Sequence, residues 1–108
     1  MSKETVLERI AELGAIAVIR GPSEALTLQM VEALVAGSIT AIEITYSTPN
    51  AESVVAALAR RFGDAVLLGM GTLTAPHQAA AAQAAGAQFL VSPVCEPDLI
   101  AAMTATGL

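Results

Sequence analysis

The chain has 108 residues, 55% of them hydrophobic and 14% charged, with a formal net charge of −5 and one cysteine. This length allows one ordinary domain. The acidic balance argues against nucleic-acid binding. A single cysteine excludes an internal disulfide and is typical of cytoplasmic proteins. No apolar run approaches the roughly 20 residues of a membrane span, and the charged start lacks a signal-peptide core. The low charge predicts that some surface is covered by further protein.

A repeat of about 22 to 25 residues follows a helix predicted at 3–13. Each repeat has an apolar run, a turn, a helical stretch and a glycine. Ser23 is predicted to cap the second helix, and Gly37 fits the position just after its end. The predicted strands are 15–20, 41–45, 65–69 and 87–92, and the helices that follow them are 24–36, 51–62, 76–85 and 97–106.

Nearly continuous apolar strands that alternate with helices indicate an α/β fold with a parallel sheet. The even repeat, and the lack of a Gly-x-Gly-x-x-Gly motif after the first strand, favour a TIM (βα)₈ barrel over an open flavodoxin-like sheet that binds a phosphate or nucleotide. A whole barrel needs about 250 residues. The prediction is therefore an N-terminal helix plus four βα units, a single half-barrel domain over residues 1–108.

Half of a barrel leaves an inner face uncovered and two edge strands without partners, here 15–20 and 87–92. Either of two partners would bury these edges. One is a C-terminal half-barrel, and the alternative is a second copy of the chain. The second possibility predicts a non-catalytic structural module that associates with itself.

Glu43 is the most informative residue of the sequence. In the strand AIEIT, alternation puts Ile42 and Ile44 on one face and Glu43 on the other. With the isoleucines against the helices, the carboxylate points into the barrel. Burial there would raise its pKa and suit it to acid–base catalysis. The competing interpretation is an edge strand with Glu43 in water.

Other candidates lie where strands end, because parallel sheets place their sites at the carboxyl ends of the strands. Arg20 could hold a carboxylate or phosphate there, and the alternative is a solvated arginine at the strand end. Thr72 follows two glycines in Gly69-Met70-Gly71, a predicted turn where a ligand could approach the backbone. Small hydroxyls at Thr45, Ser47 and Thr48 lie at the same end of the predicted sheet.

His77 and Cys95 carry less weight as site candidates. His77 begins a predicted helix and is expected to be solvated. Cys95 lies near another helix start, but a nucleophilic thiol needs a base, and the only histidine is on a different loop. Cys95 is therefore expected to be structural. No metal site and no cofactor are expected.

Four segments, IAVIRG, AGSITAIEITYSTPNA, GMGTLT and AGAQFLVSP, occur in the order and spacing of a known family. The chain resembles the first half of the 2-keto-3-deoxy-6-phosphogluconate (KDPG) and 4-hydroxy-2-oxoglutarate (KHG) aldolases. The resemblance implies a Schiff-base aldolase on a (βα)₈ barrel, usually a homotrimer. Such enzymes cleave a 2-keto-3-deoxy acid to pyruvate and an aldehyde, either glyceraldehyde 3-phosphate or glyoxylate.

The resemblance also implies roles for single residues. Glu43 matches the general acid/base, which acts through a water, and is the implied catalytic residue. Thr72 matches a residue that holds the pyruvyl carboxylate, and Pro93 matches one that lines the pocket. Arg20 matches an arginine that part of the family carries at the end of the first strand. Thr45 is predicted to bind substrate from its position alone, as a hydroxyl at the same end of the sheet.

One expected element of the family is missing from these residues. The family's Schiff-base lysine lies on the sixth strand, and its phosphate site lies in the last loops. The only lysine here is Lys3, in the N-terminal helix. We therefore expect this chain to be inactive by itself, as a truncated form of the enzyme.

Overall fold

The computed structural model describes all residues, 1–108. Five α-helices, four strands and one 3₁₀ turn alternate along the chain. They are α1 (Lys3–Leu13), β1 (Ala17–Ile19), α2 (Glu24–Ala36), β2 (Ala41–Thr45), α3 (Ala51–Phe62), the 3₁₀ turn (Gly63–Ala65), β3 (Leu67–Gly71), α4 (His77–Ala85), β4 (Phe89–Leu90) and α5 (Pro97–Ala105). No helix is long and apolar enough to cross a membrane.

The four strands form one parallel sheet in the order β1-β2-β3-β4. Consecutive strands are therefore neighbours, as in a barrel wall, and β1 and β4 are the edges. One row across the sheet holds Val18, Glu43, Gly69 and Phe89. Residues in one row of a parallel sheet point to the same face. This row lies on the inner face, which α2 to α5 do not cover.

The outer face of the sheet carries the main core. Ile42 and Ile44 of β2 are fully buried there, together with Met70 of β3. Val54 of α3 and Leu99 of α5 belong to the same cluster. Burial of such side chains is the main stabilising term of a small domain. The predicted orientation of β2, with both isoleucines toward the helices, is confirmed.

Helix α1 packs on the lower part of the inner face. Val6 is buried against Ala41, Leu67 and Phe89, and Ile10 packs beside it. Ala41, Leu67 and Phe89 are the first residues of their strands. Helix α1 therefore covers the amino end of the sheet and leaves the carboxyl ends of the strands free.

The structure corrects the bounds of three strands. Strand β3 runs from Leu67 to Gly71, two residues later than predicted, so Gly69, Met70 and Gly71 are strand residues and not a turn. The shift occurs because β3 pairs with β2 as far as Thr45. The edge strands are shorter than predicted, Ala17–Ile19 and Phe89–Leu90, because each has a neighbour on one side only.

The end of α2 also differs from the prediction. Ser23 caps the start of this helix as predicted, since its Oγ accepts from the Leu26 N–H at 3.2 Å. At the other end, Gly37 keeps an ordinary φ of −88°, and Ser38 takes the left-handed conformation with φ 68°. The Ile39 N–H then donates to the Leu34 carbonyl at 2.9 Å and closes the last turn.

Candidate active site

Glu43 lies in the middle of β2 and points to the inner face, and only 7% of its surface is exposed. Its carboxylate lies directly over the backbone of Gly71 on the neighbouring strand, where a Cβ atom would overlap its Oε1. The alternative of Glu43 in water on an edge strand is therefore wrong, because β2 has neighbours on both sides.

Burial raises the pKa of the Glu43 carboxyl above its ordinary value. Loss of water contact is the cause, since a charged carboxylate is stabilised by water more than its neutral form is. No cation or hydrogen-bond donor of the chain opposes the shift. A raised pKa moves the titration of this carboxyl in the direction of neutral pH, which is the direction that a general acid/base requires.

Arg20, Ser47 and Thr45 form a hydrogen-bonded chain at the carboxyl end of the sheet. Arg20 Nε donates to Ser47 Oγ at 2.6 Å, and Ser47 Oγ lies 2.8 Å from Thr45 Oγ1. Thr48 is buried next to them, and its hydroxyl lies 3.5 Å from the Ile19 carbonyl. The guanidinium after β1 is thus held next to the end of β2, two residues beyond Glu43 along that strand.

Thr72 immediately follows Gly71 and is half-buried. Its φ is 60°, a conformation that a β-branched residue rarely adopts and that is strained. The next residues are held by the loop after β4. The Leu73 N–H donates to the Val91 carbonyl at 3.2 Å, and Ser92 Oγ donates to the Leu73 carbonyl at 2.7 Å. These two hydrogen bonds hold Leu73 and so fix the backbone at Thr72, the residue before it.

The remaining candidates lie farther from this group. Pro93 is exposed in the loop after β4, on the same end of the sheet as Thr72. His77 and Cys95 are both exposed. Lys3 begins α1 and lines a cavity with Gln88 and Leu108. Since α1 covers the amino end of the sheet, Lys3 is at the opposite end from Arg20, Thr45 and Thr72.

Neither a metal centre nor an enclosed pocket accompanies Glu43. No group of three or more His, Cys, Asp or Glu side chains lies close enough to hold a metal ion. None of the four cavities of the chain is lined by Glu43. The carboxyl group lies instead on the inner face of the sheet, between the helix-covered amino end and the polar carboxyl end.

Two features of the site are visible only in the fold. The sequence presents Ser47 as one of three small hydroxyls, whereas in the structure it links Arg20 to Thr45. The sequence predicts Gly71 in a turn, whereas it is the strand position on which the Glu43 carboxylate lies. A glycine at an inward strand position was a usable signal, because such glycines often mark close approach of another group.

Comparison with known proteins places this geometry in a family. The family model described as "Aldolase: KDPG and KHG aldolase" matches residues 6–108. The 2-dehydro-3-deoxy-phosphogluconate aldolase of Treponema pallidum is 37% identical over 97 residues, which are 90% of this chain and 46% of that enzyme. The chain therefore spans about half the length of this curated relative.

Solved structures agree with this result. The 2-keto-3-deoxy-6-phosphogluconate aldolase of Zymomonas mobilis superposes with a TM-score of 0.76 at 30% identity, over 84% of this chain and 43% of that one. The KDPG aldolase of Legionella pneumophila, solved with pyruvate captured as a covalent carbinolamine intermediate, gives a TM-score of 0.68 at 39% identity, over 81% and 42%. The chain belongs to the KDPG and KHG aldolase family, and its sheet matches the first part of that TIM-barrel-like fold.

Proposed function

We propose that these residues form the N-terminal half-barrel of a Schiff-base aldolase and supply its acid–base group. The substrate class is a 2-keto-3-deoxy acid, cleaved to pyruvate and either glyceraldehyde 3-phosphate or glyoxylate. The observation that carries the proposal is Glu43, a buried carboxyl with a raised pKa beside the polar carboxyl end of a parallel sheet. The cytoplasm, where such sugar acids are metabolised, is the proposed location.

In this proposal Glu43 moves protons and the residues around it bind the substrate. During cleavage, the bond between C3 and C4 breaks, the C4 hydroxyl loses a proton and C3 later gains one. A buried carboxyl group with a raised pKa can serve both steps through a bound water. Arg20 and Thr45, linked by Ser47, offer a cation and hydroxyls for the substrate's anionic and hydroxyl groups.

Thr72 and Pro93 complete the proposed binding group. The Thr72 hydroxyl follows the strand that lies under Glu43, where it can donate to a pyruvyl carboxylate. Pro93 lies in the loop after β4 and would form an apolar wall. The fixed backbone of Thr72 supports this assignment, since strained positions are retained where they orient a functional group.

The Schiff-base lysine is proposed to come from outside residues 1–108. Lys3, the only lysine, lies in α1 and lines a cavity with Gln88 and Leu108, away from the polar group of Arg20, Ser47 and Thr45. By itself, the chain is therefore proposed to be inactive. Mixing it with the second half of a related aldolase should restore the barrel and the reaction.

Borohydride reduction in the presence of pyruvate tests both parts of the proposal. We expect no stable adduct on the chain alone, and an adduct on the second half when the two halves are mixed. In the mixture, Glu43→Gln should lower the rate of aldol cleavage by roughly 10²- to 10⁴-fold, the usual contribution of a general acid/base. Glu8→Gln, which removes the same charge from an exposed position of α1, is the control. An adduct on Lys3, or full activity of the Glu43→Gln mixture, would refute the proposal.

A second candidate function is a non-catalytic module in which two copies pair through their edges. Val18 of the edge strand β1 is 61% exposed on the inner face, and Ile100 of α5, next to the other edge, is 42% exposed. Two copies could pair β1 with β4 twice and bury both side chains. Light scattering at several concentrations tests this candidate. A dimer that Val18→Lys converts to a monomer supports it, and a monomer at every concentration contradicts it.

A further inference from the structure

Strand β3 carries glycine at two successive inward positions, Gly69 and Gly71. Neither has a positive φ, so the backbone conformation at both positions is open to any residue. Glycine also weakens a strand, because it loses more freedom on folding and offers no side chain to pack. The reason for these glycines must therefore lie in what covers them.

Each glycine is covered by a side chain from a different neighbouring strand. A Cβ atom at Gly69 would overlap the ring of Phe89, which reaches over from β4. A Cβ atom at Gly71 would overlap Oε1 of Glu43, which reaches over from β2. The two positions without a side chain thus form a shallow groove along β3. The Phe89 ring fills the groove over Gly69, and the Glu43 carboxylate fills it over Gly71.

The two positions differ in what a methyl group would displace. Phe89 is 8% exposed and belongs to the cluster beneath α1, so its ring is held in place by Val6, Ala41 and Leu67. Glu43 meets Gly71 with its last atoms, at the end of a flexible side chain that can turn away more easily than a packed ring can. A methyl group at residue 71 would therefore push the carboxylate away from β3 and toward solvent.

We propose that Gly71 is a positioning residue for Glu43. Because Gly71 of β3 has no side chain, the Glu43 carboxylate of β2 packs onto the Gly71 backbone and takes a fixed place on the sheet. The catalytic meaning of that place rests on the proposed function, whereas the positioning itself follows from the packing. Gly71 acts through Glu43 and does not touch substrate. On this proposal, the contact with Gly71 contributes to the burial that raises the pKa of Glu43.

The test is the variant Gly71→Ala, read by NMR titration of the carboxyl carbons with ¹³C-labelled glutamate. Glu43→Gln assigns the signal. We expect Gly71→Ala to fold and to lower the pKa of Glu43 toward its ordinary value, because the displaced carboxylate gains water. Gly37→Ala is the matched control, since its added Cβ would lie 3.5 Å from the nearest atom, in ordinary contact, and far from the sheet's inner face. An unchanged Glu43 titration in folded Gly71→Ala would overturn the proposal.

A second variant covers the case in which Gly71→Ala does not fold. In Glu43→Ala the space above residue 71 is empty, so the double variant Glu43→Ala/Gly71→Ala should be at least as stable to urea as Glu43→Ala alone, because alanine costs a strand less than glycine does. If the double variant is less stable than Glu43→Ala, glycine is needed at 71 for another reason and the proposal fails. None of these measurements requires turnover, so they stand or fall separately from the aldolase assay.

Discussion

The buried carboxyl of Glu43 makes the stability of the chain depend on pH in a definite direction. Its pKa is raised in the folded state, so the folded chain binds a proton more tightly than the unfolded chain does. Stability from this group is fully present below the unfolded pKa, about 4.3 for glutamate, and is lost as pH rises through the folded value. Ionised Glu43 therefore destabilises the fold at neutral pH.

The size of the effect is set by the one extra proton that the folded chain binds when the pH lies between the two pKa values. Between the unfolded and folded pKa values, the free energy of unfolding falls by at most about 1.4 kcal/mol for each pH unit. No protein group offsets the loss of water, because desolvation alone accounts for the shift. Glu43→Gln keeps the size of the side chain and removes the ionisation. We expect this variant to equal the wild type near pH 4 and to exceed it at pH 8.

Urea unfolding at half-unit steps from pH 4 to pH 8 measures this prediction. The difference in unfolding free energy between Glu43→Gln and wild type should rise with pH and then level off above the folded pKa. Glu8→Gln removes an exposed carboxylate of α1 and is the control for the change in net charge. If the wild-type and Glu43→Gln curves run parallel across the range, Glu43 is not desolvated and the reasoning is refuted.

Three further predictions concern the framework around the site. Ile44→Ala should lower the unfolding free energy by about 2 to 5 kcal/mol in urea, because Ile44 is fully buried in the main core; a loss below 1 kcal/mol would contradict its place there. Ser23→Ala should cost about 1 kcal/mol through the lost cap on the Leu26 N–H, and Ser23→Gly less, so equal losses would disagree with capping. Burial raises the pKa of Tyr46, and so does its hydrogen bond to Glu52, so the free energy of unfolding should fall as pH rises above about 10. Tyr46→Phe should remove that fall. An unchanged alkaline profile in Tyr46→Phe would show that Tyr46 is not its source.

The candidate site divides into residues that local pattern identified and residues that it did not. Glu43 was identifiable because alternation in a strand is set by backbone geometry, and the flanking isoleucines fixed which face is inside. Ser47 and Gly71 were not, because their partners, Arg20 and Glu43, are 27 and 28 positions away in the chain, and only strand pairing brings them together.

The same division holds for the fold. Helices α1 to α3, the cap at Ser23 and the inward direction of Glu43 were predictable from local sequence, because helix periodicity, capping and strand alternation depend on residues close in the chain. The end of β3 and the residue beneath the Glu43 carboxylate became known from the folded chain alone. Those features depend on register between strands, and register is set by the packing of whole βα units.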